Sequence, residues 1–178
     1  MVGRSILAGG AMFGIEQLMG AAQPALLRAL GSGSPPRGEV DWVALTSPRA
    51  VVGDAAAMVA VSLSNALFFL LMLVLLRLVL RRRWLAYGAF ILLSYPIVAV
   101  QMNDWRLAIT LAPLYAVLWS VVLVRGGLLA FAVGFYLARL VPSLPLTLDM
   151  SQAHAATSLL VMLAVVALLL HGLSTALA

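Results

Sequence analysis

Glu16 is the only acid placed well inside a candidate apolar span of this chain. A carboxylate is costly in hydrocarbon, so an ionisable group there is by default a suspect for carrying or binding something polar. The plainer reading is that its helix packs so that Glu16 meets water or an arginine. A second constellation is the turn QMNDWR, where Gln101, Asn103, Asp104 and Arg106 crowd together; with Asn65 and Glu16 they could bind a small polar ligand or line a path for one. Turns between membrane helices are ordinarily polar, so a structural role stands beside that reading. The two histidines, His154 and His171, fall at opposite ends of one helix, about 25 Å apart at 1.5 Å per residue, too far to share a metal. Asp149 with His154 supplies two ligands and no third. No metal site and no cofactor is expected.

Catalysis has no constellation to stand on. There is no GxSxG elbow and no HExxH. The paired glutamates and helical histidines of CAAX-type intramembrane proteases are missing, and a hydrolase would need Glu16, His154 and His171 brought together. All 11 basic residues are arginine, which removes chemistry that needs lysine, and with no cysteine there is no thiolate chemistry and no disulfide. The net charge of +5 does not indicate nucleic acid, because the arginines sit at helix ends rather than along one polar face.

The elements that must position these groups are membrane helices. At 64% hydrophobic and 10% charged residues, with a mean hydropathy of +1.11, the chain lies outside the range of soluble domains. The clearest span is the stretch 65–84, NALFFLLMLVLLRLVLRRRW, which closes on Arg77, Arg81, Arg82, Arg83 and Trp84. Arginine clusters are retained in the cytoplasm and tryptophan favours the headgroup layer, so these five residues read as a cytoplasmic anchor. Counting outward gives one all-α domain over 1–178, a polytopic bundle of six transmembrane helices at about 5–30, 54–80, 85–100, 107–124, 128–141 and 153–171. The count is five if the first does not cross. Its apolar start, followed by Gly20, Ala21 and Ala22, also resembles a secretory signal, against which Glu16 argues.

The segment 31–47 reads as an extracytoplasmic loop, and Ser47-Pro48 as the cap and first turn of the second helix. Spans three and four form a hairpin about the 101–106 turn, with Pro96 and Pro113 at similar depth. Arg125-Gly126-Gly127 is a tight reversal. Small residues mark two packing faces, Gly10 with Gly14 on the first helix and Ala130, Gly134 and Ala138 on the fifth. Both termini are then cytoplasmic, in a bacterial inner membrane.

The run from Asn65 to Ala86, an apolar helix ending in arginines and Trp-Leu-Ala, resembles the multi-pass membrane region that follows the kinase domain in some bacterial serine/threonine kinases, and related uncharacterised integral membrane proteins. The resemblance implies a membrane-anchoring or sensing module. No kinase activity carries over, since lysine and the His-Arg-Asp and Asp-Phe-Gly motifs are absent. The expectation is a non-enzymatic integral membrane module for anchoring, assembly or sensing. Its partners would be the lipid bilayer and another membrane protein or a second copy, met through the small-residue faces. The alternative is a small transporter or channel subunit using a cavity beneath the 101–106 turn.

Overall fold

The computed structural model describes residues 2–31, 48–102, 104–143 and 155–177. These form five helices: α1 (Val2–Ala29), α2 (Pro48–Leu80), α3 (Arg83–Val100), α4 (Trp105–Ser143) and α5 (Ala155–Leu177). No strand occurs among the described residues. Three helices are long and apolar enough to cross a membrane: α2 over Ala55–Leu80, α3, and α4 over Trp105–Pro142. Most of the expected loop at 31–47, Asn103, Asp149 and His154 lie outside the described residues.

The surface of α2 argues against water as its solvent. Only 22% of its most apolar stretch is buried, yet the exposed face carries Leu67, Phe68, Leu71, Val74, Leu75, Leu78 and Val79. A soluble helix would present polar residues there. Inward, Ser62, Ala66, Phe69 and Leu73 recur at helical spacing and are buried.

The fourth and fifth helices expected from the sequence are the two arms of α4, which meet at one non-helical residue. The chain bends there. Gly127 holds φ 77° and ψ −176°, a conformation essentially reserved for glycine. A straight helix would hold Trp119 and Phe135 about 24 Å apart. Their ring centroids are 5.0 Å apart. The arms 105–126 and 128–143 therefore fold back on each other, with the reversal where Arg125-Gly126-Gly127 predicts it.

Against this hairpin α1 runs antiparallel to the first arm. Ser5 Oγ donates to the Gly126 carbonyl at 3.2 Å, and at the other end the Arg106 guanidinium donates to the Leu30 carbonyl. Gly31, at φ 72°, closes α1 in the left-handed conformation common after helix C-termini. Helix α5 packs on α1, with Gly172 against Ile6 and Leu169 against Gly10. Helices α2 and α3 reverse through Arg81, at φ 52°, and Arg82. Arg77 does not simply extend toward an interface; it donates to the Tyr87 hydroxyl at 2.6 Å and lies over that ring.

Successive helices thus alternate direction, and the bundle has two unlike ends. One gathers Arg4, Arg81, Arg82, Arg83 and Arg125; the other gathers the 101–106 turn, Arg139 and the C-terminus of α1. Between them lies an aromatic cluster. Phe69 meets Phe90, Trp119 and Phe131 at centroid distances of 6.0, 5.2 and 5.6 Å, mostly edge-on. Such pairs contribute about 0.5–1.5 kcal/mol each beyond area burial. In a bilayer such pairs would weigh more than in a soluble core, because lipid tails are as apolar as leucine and only packing quality distinguishes inside from outside.

Small residues set the close contact between α1 and the second arm of α4. A Cβ on Gly9 would lie 2.6 Å from the Ala130 carbonyl oxygen, and one on Gly134 would lie 2.7 Å from Met12 Sδ. The face at Ala130 and Gly134 does meet another helix, but through Gly9 of α1. Gly10 instead faces Leu169, and Gly14 faces open space.

Candidate functional site

Above the aromatic cluster, at the end holding the 101–106 turn, a cavity of about 210 Å³ opens between α1, α3 and both arms of α4. Helix α1 contributes Glu16 and Gln23, seven residues apart and so on one face two turns apart. The C-terminal end of α3 brings Val98, Gln101 and Met102. Tyr115 and Trp119, four apart, come from the first arm of α4, and Phe135, Ala138 and Arg139 from the second.

Glu16 lies at the inner end. Trp119 Nε1 donates to its Oε1 at 2.7 Å, and the Tyr115 hydroxyl approaches the Glu16 carbonyl oxygen at 3.4 Å. The indole thus satisfies one carboxylate oxygen, as a half-buried acid requires. Arg139 lies toward the turn, where its Nη2 donates to Gln101 Oε1 at 3.3 Å and its guanidinium rests over the Phe135 ring, 5.5 Å from the centroid. Gln101 is oriented in turn by its Nε2, which donates to the Ile97 carbonyl at 3.1 Å. One wall therefore carries a carboxylate, another a guanidinium, with two carboxamides and a phenol between them. Trp119 and Phe135 also belong to the aromatic cluster, so the cavity ends blindly on packed rings.

Of the residues singled out from sequence, the cavity unites Glu16 and Gln101. Asp104 and Arg106 are near the same end but work as helix caps. Asp104 Oδ1 accepts from the Arg106 backbone N–H at 2.8 Å and its carbonyl from the Ala108 N–H at 3.0 Å, an N-cap for α4. The Arg106 guanidinium serves the last carbonyl of α1 and lies 5.5 Å from the Trp105 ring centroid. Asn65 is half-buried on α2 and does not line the cavity. Neither proline lines it, though Val98 and Tyr115 each follow one by two residues. Ala138, expected as a packing residue, is part of its wall.

Sequence reasoning missed Gln23, Tyr115, Trp119 and Arg139. The spacing of Glu16 with Gln23 and of Tyr115 with Trp119 carried a signal: polar or amphipathic side chains at helical repeat inside apolar spans. Arg139 carries no such local signal, and only the fold-back at Gly127 turns it toward Gln101.

Neither a protein-family model, nor a curated protein, nor a solved structure matches the chain.

Proposed function

We propose that this chain is a non-enzymatic, polytopic inner-membrane module that senses a small zwitterionic solute in the cavity between Glu16 and Arg139. The observation that carries the reading is the pairing of opposite charges across one blind cavity: Glu16 faces an ammonium group, and Arg139 with Gln101 faces a carboxylate. Its volume far exceeds the roughly 30 Å³ share of one water. The aromatic rings beneath it favour binding and sensing over conduction, since a solute path would require Phe69, Trp119 and Phe135 to part.

In this reading the helices cross the membrane six times, the two arms of α4 counting separately, and both termini are cytoplasmic. Arg4, Arg77, Arg81, Arg82, Arg83 and Arg125 then lie toward the inside, in keeping with the retention of arginine there. The cavity opens outward. The resemblance of the 65–86 run to kinase-associated membrane regions agrees with a sensing role.

The test is calorimetric titration of the purified chain with small amino acids. Binding is expected to weaken by about tenfold or more in Glu16→Gln and in Arg139→Gln, the loss of one charge-assisted hydrogen bond, and to be unchanged in Ser174→Ala. Binding indifferent to both charge variants, or none, overturns the assignment. Solute uptake into proteoliposomes would move it to transport.

A further inference from the structure

Among the described residues, the opposite end of the bundle holds positive charge with no acidic side chain to balance it. The six acidic residues of the chain are Glu16, Glu39, Asp41, Asp54, Asp104 and Asp149. None falls in the segments 2–15, 66–94, 115–135 or 165–177, whose contacts bring them to that end or lead toward it. Arg4 and Arg125 are exposed there, and among the described residues neither makes a hydrogen bond or ion pair. The Ser5–Gly126 hydrogen bond fixes their backbones side by side, since each arginine immediately precedes one member of that bond. Two exposed arginines on neighbouring backbones, lining one cleft and with no counter-charge among the described residues, can be bridged by an external anion.

They also stand at the head of an apolar groove. Between α1 and the first arm of α4 lies a cleft of about 330 Å³, with Arg4 and Arg125 at one end and Ala8, Ala11, Ile15 and Leu118 along its walls. From Arg4 to Ile15 the groove follows α1 for about 16 Å at 1.5 Å per residue. That is about half the roughly 30 Å hydrocarbon core, the depth of one leaflet.

The geometry points to a bound anionic phospholipid, its phosphate between Arg4 and Arg125 and one acyl chain in the cleft over Ala8 and Ala11. Small side chains at those positions leave room for the chain. Arginine suits the head because its planar fork matches phosphate oxygens. The proposal rests on the membrane reading above but not on the solute cavity.

The experiment is native mass spectrometry of the full chain released from nanodiscs containing equal phosphatidylglycerol and phosphatidylcholine. One phosphatidylglycerol is expected to persist through delipidation. Its retention should fall about tenfold or more in the Arg4→Gln/Arg125→Gln double variant, and equally in Ala11→Trp, which fills the cleft and keeps both charges. Arg81→Gln/Arg82→Gln, which removes the same charge elsewhere, should leave it intact. Retention unaffected by the first two variants, or lost equally in the third, overturns the proposal, as does full displacement by inorganic phosphate. Failure of the chain to enter nanodiscs would instead defeat the membrane reading.

Discussion

Trp119 donates its indole N–H to the Glu16 carboxylate across 2.7 Å, joining two residues 103 positions apart. The bond ties α1 to the hairpin of α4 and fixes the one acid placed well inside an apolar span. Trp119→Phe keeps the ring in the aromatic cluster and strands Glu16 Oε1 without its donor. Stability is expected to fall by about 1–3 kcal/mol. Glu16→Leu in the same background should recover part of that loss, because both polar partners are then gone. Reversible denaturation of the four variants in a double-mutant cycle measures the coupling.

Gly127 carries the reversal that places Arg139 beside Gln101. Its φ of 77° with ψ −176° suits no side chain. Gly127→Ala is expected to cost about 1–3 kcal/mol and, by splaying the arms, to weaken solute binding although residue 127 is remote from the cavity. Gly126 supplies a comparison of another kind: its added Cβ would meet the Ala130 side chain at 2.6 Å, a packing clash with no positive φ. Thermal unfolding together with titration separates the two causes.

How much of this was legible in the sequence follows from which forces leave a local trace. Long apolar runs and their arginine ends write the existence of α2 and α3 directly, and a Gly-Gly pair after Arg125 writes the reversal. A glycine does not announce the helix it faces. Gly10 and Gly14 form a GxxxG pair, yet Gly9 makes the close approach to Ala130 and Gly134, because the rotation of α1 is set by Met12, Glu16 and Leu27 finding partners on α4. The cavity was foreseeable only in part, since Gln101 is near Arg139 solely through the fold-back.

That rotation of α1 makes a paired prediction. Gly9→Leu should displace α1 from the second arm of α4 and destabilise the protein by about 1–3 kcal/mol, the range for overpacking. Gly14→Leu, on the open side, should be close to neutral. Equal losses at both sites would contradict the packing, and equilibrium unfolding in mild detergent reads the difference.

Ser94 is fully buried on α3, and among the described residues its hydroxyl finds no hydrogen-bond partner. Removing an unsatisfied buried hydroxyl relieves a desolvation cost and opens only a small void. Ser94→Ala is therefore expected to be neutral or to stabilise by up to about 1 kcal/mol, measured by the same unfolding assay. A loss beyond 1 kcal/mol would show that the hydroxyl has a bound partner in the membrane.

The most direct test of the central claim, a membrane bundle with its solute cavity at one face and its arginine-rich end at the other, is thiol accessibility. The native chain has no cysteine, so each introduced thiol reports alone. Ala138→Cys, on the cavity wall, is expected to react with a membrane-impermeant maleimide added outside intact cells. Arg125→Cys and Ser174→Cys should react only after permeabilisation. Labelling of Ala138 and Ser174 from the same side of intact cells would contradict the account.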